Sequence, residues 1–154
     1  MQLCVYTSTL ANRGTRYQAT FLSRVISSDY SGVVYTNEPV IVSQLDISSE
    51  AYEAYTEGMR LVVTNGTAKS IFGSYPIAVA AKTGTAQTDA GNAYSDNGAF
   101  VCYAPYDNPE IAVVVYGEKA GHGTTMGQIA KKILDTYFAD ALYGDVGSGE
   151  NEIS

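Results

Sequence analysis

The run Ile77-Ala78-Val79-Ala80-Ala81 passes abruptly into Lys82-Thr83-Gly84-Thr85-Ala86-Gln87. A short apolar run of this kind reads as a buried strand. The switch to an amine, two hydroxyls and a glycine reads as the same strand emerging along a polar cleft. Side chains alternate along a strand, so Lys82 and Gly84 point one way while Thr83 and Thr85 point the other. Gly84 lacks a Cβ, so a ligand or a neighbouring chain can come close to the backbone. Lys82 supplies positive charge near an anionic group, and threonine hydroxyls can donate to a carboxylate. On three or four residues alone, a solvated lysine at a strand end before a polar turn is the preferred reading. The surroundings therefore decide.

Those surroundings form one domain or part of one. The chain has 154 residues, 45% hydrophobic and 16% charged, which fits a globular chain able to bury a core. A net charge of −7 argues against nucleic-acid binding. No apolar run approaches the roughly 20 residues of a membrane-spanning helix. The first residues, Met1-Gln2-Leu3-Cys4-Val5-Tyr6, carry no signal-peptide pattern. Cys4 and Cys102 lie far apart without metal-ligand spacing and read as small apolar core residues, with a disulfide the lesser alternative.

Periodicity predicts an α+β chain. Leu3, Tyr6 and Leu10 mark a helix over 2–12, stopped by Asn12-Arg13-Gly14. Residues 16–45 alternate short β-type runs at 21–26, 33–36 and 40–42 with turns at Ser31-Gly32 and Asn37-Glu38-Pro39, predicting a small hairpin or extended connector. Ser48-Ser49-Glu50 opens a second helix with Tyr52, Tyr55, Met59, Val62 and Val63 on one face, ended by Asn65-Gly66. The Lys82 strand, Gly98 to Ala104 and Ile111 to Tyr116 predict a three-stranded antiparallel meander. Met126, Ile129, Ala130, Ile133, Leu134, Tyr137 and Phe138 form a helical stripe fit to cover a sheet face. Residues 1–142 read as the folded portion. Residues 143–154 read as an acidic, Gly/Ser-rich disordered tail.

Lys-Thr-Gly is one of three motifs of penicillin-binding proteins and class A β-lactamases, beside Ser-x-x-Lys and Ser-Asp-Asn. Ala80-Ala81-Lys82-Thr83-Gly84-Thr85-Ala86-Gln87 closely resembles the third motif in the class B transpeptidases. The likeness runs on in order through Leu10-Ala11-Asn12-Arg13-Gly14-Thr15, Glu57 to Val63 with Gly66-Thr67-Ala68, Asn97 to Pro105, Ile111 to Val115 and the closing helix. The resemblance implies an incomplete transpeptidase/β-lactamase-like fold: an antiparallel sheet of three main strands plus a hairpin region, covered by helices. It implies catalytic roles for Lys82 and Thr85. It also implies substrate-binding roles for Thr83, Gly84 and Thr85, with the Thr85 N–H as one oxyanion donor. The implied ligand is the D-Ala-D-Ala end of a peptidoglycan stem, or a β-lactam that mimics it. No cofactor or metal is implied. The implied parent works at the outer face of the cytoplasmic membrane.

One part of the pattern is missing. The five lysines, at 69, 82, 119, 131 and 132, follow Gly66, Val79, Tyr116, Gln128 and Ile129 by three residues, so no Ser-x-x-Lys exists here. Without that pair there is no activated nucleophile for acyl transfer. Ser95-Asp96-Asn97 matches the second motif literally but follows Lys-Thr-Gly, whereas the family's order is the reverse; these are ordinary turn residues. The chain therefore reads as the C-terminal part of a transpeptidase domain, inactive alone, partnered by a missing N-terminal part and prone to self-association through uncovered edges. A non-catalytic peptide- or partner-binding module and one half of a split enzyme are the alternatives. His122, the only histidine, reads as a solvated loop residue, and Asp107 with Glu110 as surface charge.

Overall fold

A computed structural model of the protein describes residues 1–87 and 96–143. The body is a three-stranded antiparallel sheet of β5 (Ala80–Ala86), β6 (Asn97–Ala104) and β7 (Ile111–Gly117), in the order β5-β6-β7. Its register is unbroken, from Ala80 opposite Tyr103 to Ala86 opposite Asn97, and from Gly98 opposite Gly117 to Ala104 opposite Ile111. The meander expected from sequence is therefore present, and the strand with Lys82 is an edge.

Two helices cover opposite faces. α1 (Gln2–Ala11) lies against β6 and β7, and Ala11 joins Ala80 and Tyr103 in a small buried cluster. Its end is marked by left-handed backbone at Arg13 (φ 58°) and Gly14 (φ 92°), where the stop signal predicts it. α4 (Gly123–Tyr137) crosses the other face and contributes Met126, Ala130 and Leu134 to the main core. That core includes Val79, Ala81, Cys102 and a stacked pair, Phe72 and Phe100, with ring centroids 5.9 Å apart. Leu134 is fully buried, and cutting such a leucine to alanine costs about 2–5 kcal/mol.

The predicted stripe on α4 divides. Met126, Ala130, Leu134 and Phe138 are buried, but Ile129, Ile133 and Tyr137 are 40–51% exposed. The three-stranded sheet is too narrow to occupy the whole apolar arc.

α2 (Ser49–Thr64) matches the sequence expectation at both ends. The Ser48 hydroxyl accepts from the Ala51 N–H at 3.2 Å, and Asn65 is the C-cap. A short α3 (Lys69–Phe72) follows and places Ile71 and Phe72 in the core. Residues 15–44 form two separate two-stranded sheets: β1 (Thr15–Tyr17) with β4 (Ile41–Gln44), and β2 (Arg24–Ile26) with β3 (Val33–Thr36). α5 (Ala139–Tyr143) closes the described chain, and the rest of the expected acidic tail lies outside the described residues. Both cysteines are free, Cys102 buried and Cys4 half-buried. Among the described residues no helix is long and apolar enough to cross a membrane.

Candidate active-site wall

Ala80 and Ala81 are fully buried, and exposure begins at Lys82. α2 packs against β5, and just before the strand the Arg60 Nη1 donates to the Val79 carbonyl at 2.8 Å. Among the described residues no strand pairs with the outer edge of β5, so alternate backbone N–H and C=O groups there have no strand partner.

The two faces of the strand are set by the two cores. Ala80 packs toward α1, so Lys82 and Gly84 continue that face; Ala81 packs toward α4, so Thr83 and Thr85 continue the other. The Lys82 ammonium lies back over its own strand and donates to the Thr83 carbonyl at 2.5 Å. Among the described residues the one ion pair is Lys131–Asp135, so Lys82 has no carboxylate partner there.

Each threonine hydroxyl meets a second element. Thr83 Oγ1 lies 3.0 Å from Thr67 Oγ1, in the turn between α2 and α3. Thr85 Oγ1 accepts a long bond, 3.4 Å, from the Gly123 N–H at the start of α4. α4 runs for 15 residues, and its N-terminus sets a partial positive charge beside the end of β5. An ammonium, two hydroxyls, a helix N-terminus and an open strand edge together suit an anionic, extended ligand: a peptide carboxylate. Among the described residues no group of three or more His, Cys, Asp or Glu could hold a metal ion.

Other sequence candidates fall elsewhere. Asn97 Oδ1 accepts from the Lys119 N–H at 3.0 Å, and the buried Asp96 accepts from the Gly121 N–H through its backbone oxygen at 3.1 Å. Both act in bracing the loop before α4; Ser95 lies outside the described residues. His122 is exposed at the N-cap of α4. Asp107 and Glu110 are exposed on the turn between β6 and β7. A concavity of about 550 Å³ lies away from the β5 edge, between α1 and the β1–β4 sheet, walled by Val5, Tyr6, Tyr17, Val42 and Leu45. Its lining is mostly apolar, so volume alone does not point to the chemistry.

Residues 1–135 match the family model for the penicillin-binding protein transpeptidase domain. The chain belongs to that family. Within it, this is a class B, PBP2-like transpeptidase sequence. Penicillin-binding protein 2A of Bacillus subtilis is 33% identical over 154 residues, covering 90% of this chain and 22% of that protein. The peptidoglycan D,D-transpeptidase MrdA of Escherichia coli K12 is 36% identical over 104 residues, covering 58% of this chain and 16% of that protein. The structure of penicillin-binding protein 2B from Streptococcus pneumoniae R6 superimposes with a TM-score of 0.77 at 24% identity, over 90% of this chain and 24% of that one. The chain thus spans about a fifth of the length of these relatives.

Proposed function

We propose that the open edge of β5 is the Lys-Thr-Gly wall of a peptidoglycan D,D-transpeptidase cleft, and that the attacking serine belongs to polypeptide outside these 154 residues. In this reading the serine oxygen bonds to the carbonyl carbon of the penultimate D-alanine. The terminal D-alanine leaves with a proton, and the amine of a neighbouring stem then displaces the serine. Thr83 and Thr85 hold the terminal carboxylate, and the extended ligand lies along the edge beside Gly84. The Lys82 ammonium raises the local positive potential and supports proton movement on the leaving side. The Thr85 N–H receives part of the developing oxyanion charge, an interaction whose loss costs about 3–4 kcal/mol in other acyl-transfer enzymes.

The observation that carries this reading is the placement of Lys82, Thr83 and Thr85 on an open strand edge in a chain of this family. The names of relatives point the same way: the Escherichia coli protein is a peptidoglycan D,D-transpeptidase, and a protein of similar fold, penicillin-binding protein A of Mycobacterium tuberculosis, has been captured as an imipenem acyl-enzyme. The parent would act on the outer face of the cytoplasmic membrane, with residues 1–142 as its cleft-bearing portion and residues 143–154 as an appended tail.

Fluorescent-penicillin labelling tests the assignment. The isolated chain should take no covalent label, since no serine here precedes a lysine by three. Mixing with a polypeptide that carries the family's Ser-x-x-Lys should give label on that partner. A mass shift on this chain alone would overturn the reading. Saturable non-covalent binding of a D-Ala-D-Ala peptide, lost in Lys82→Ala, with no partner ever labelled, would favour a peptide-binding module instead.

A further inference from the structure

Thr67 holds a fixed place on the wall. Its neighbour Gly66 has no space for a side chain, because a Cβ there would stand 2.9 Å from the Val62 Cα and 3.1 Å from the Val62 carbonyl oxygen. Its other neighbour, Ala68, is fully buried and donates its N–H to the Val62 carbonyl at 3.0 Å. The chain is thus pinned on both sides of Thr67, and Thr67 alone of the three is a polar side chain directed at β5. Its hydroxyl lies 3.0 Å from that of Thr83, within range of a hydroxyl–hydroxyl hydrogen bond.

A threonine hydroxyl carries one proton and two lone pairs. If Thr83 donates to Thr67, its proton is spent inside the wall and a carboxylate meets only lone pairs. If Thr67 donates to Thr83, the Thr83 proton is free to point outward, and polarisation by the incoming bond makes it a better donor. An anionic ligand selects the second arrangement. We propose that Thr67 is a positioning residue that donates to Thr83 and so turns the Thr83 hydroxyl proton toward a bound carboxylate. This rests on the carboxylate-binding reading of Thr83.

Binding to this chain is measured by NMR titration with N-acetyl-D-Ala-D-Ala and with its C-terminal amide. Thr67→Val, which keeps shape and removes the hydroxyl, should weaken binding of the free acid about tenfold, the scale of one hydrogen bond to a charged group. Binding of the amide should not change. Thr67→Ser should restore wild-type affinity, and Thr67→Val should add no further loss in a Thr83→Val background. Equal binding by wild type and Thr67→Val, while Thr83→Val loses affinity, overturns the role of Thr67 and leaves the carboxylate site standing. A silent Thr83→Val, or no saturable binding of the acid by wild type, overturns the carboxylate site, and this inference with it.

Discussion

Gly123 packs so tightly against Gly84 that a Cβ on Gly123 would collide with the Gly84 carbonyl oxygen, and with that of Ala99 opposite it. The start of α4 is therefore seated directly on the backbone of the Lys-Thr-Gly strand. The reverse does not hold. A Cβ on Gly84 would meet only Ala99, at 3.7 Å, an ordinary contact. Internal packing demands the glycine at 123 and leaves the one at 84 to be explained by what lies outside.

This asymmetry separates two alanine substitutions. Gly123→Ala should destabilise the fold by about 1–3 kcal/mol, because the obstructing atoms are backbone and cannot rotate away. Each kcal/mol lowers the melting temperature by about 2–4 °C in a chain of this size. Gly84→Ala should leave the melting temperature within about 2 °C of wild type while weakening D-Ala-D-Ala peptide binding. Equal thermal losses for the two variants, read by circular dichroism, would contradict the packing account.

Alkaline pH should unfold the protein in a defined window. Burial pushes the Cys102 thiol up to about 12 from its ordinary 9.0. Burial, with Tyr52 adding and Arg13 opposing, pushes the Tyr55 hydroxyl up to about 12 from 10.0, and burial also raises Tyr103. All three are favoured protonated in the fold, so their contribution to stability is intact below pH 9. The unfolded chain releases these protons first, and stability falls as pH rises from 9 toward 12. The urea midpoint should be flat with respect to these groups from pH 7 to about 9 and then decline. In Cys102→Ala the decline should begin nearer 10, the ordinary value of Tyr55. A midpoint that holds level to pH 11 would refute this.

Local signals in the sequence carried much of the fold. Ser48 and Asn65 bracket α2 because caps depend on residues adjacent in the chain. The alternation at Lys82 to Thr85 needs only a strand. β1 was not legible: three residues, Thr15–Tyr17, pair with β4 across more than twenty residues of intervening chain. The small hairpin expected there is the β2–β3 pair, and the β1–β4 pair is added to it. α3 is a single turn, too short for periodicity to register. Ile129, Ile133 and Tyr137 fit the apolar stripe of α4, but how much of the stripe is covered depends on sheet width. Thr67 and Gly123 reach the wall only through tertiary approach. Gly66-Thr67-Ala68 resembles the family, but nothing in its composition pairs it with Thr83.

Self-association should follow from the uncovered part of α4. Ile129 and Ile133 are 50% and 40% exposed beside Tyr137, and among the described residues no strand pairs with the outer edge of β7. Exposed apolar surface next to an unpaired strand favours contact with another molecule. Light scattering should give a mass above 16.4 kDa that grows with concentration. Replacing both isoleucines with glutamate should move the mass toward monomer. A wild-type chain that stays at 16.4 kDa through the micromolar range would remove the idea.

Lys82 offers a separation of function from stability. Its side chain is exposed, touches its own strand through the Thr83 carbonyl, and has no carboxylate partner among the described residues. Lys82→Met should therefore change stability by less than about 0.5 kcal/mol, as for an ordinary surface site. Binding of N-acetyl-D-Ala-D-Ala should nonetheless fall about tenfold, since a partly screened ion–carboxylate attraction near a protein surface is worth roughly 1–2 kcal/mol. Added salt should erode wild-type binding and leave the residual binding of Lys82→Met nearly unchanged, because removing the ammonium removes the screened interaction. Parallel salt curves for the two proteins would mean that Lys82 contributes no field at the ligand, and the ammonium would then be a solvated strand-end charge.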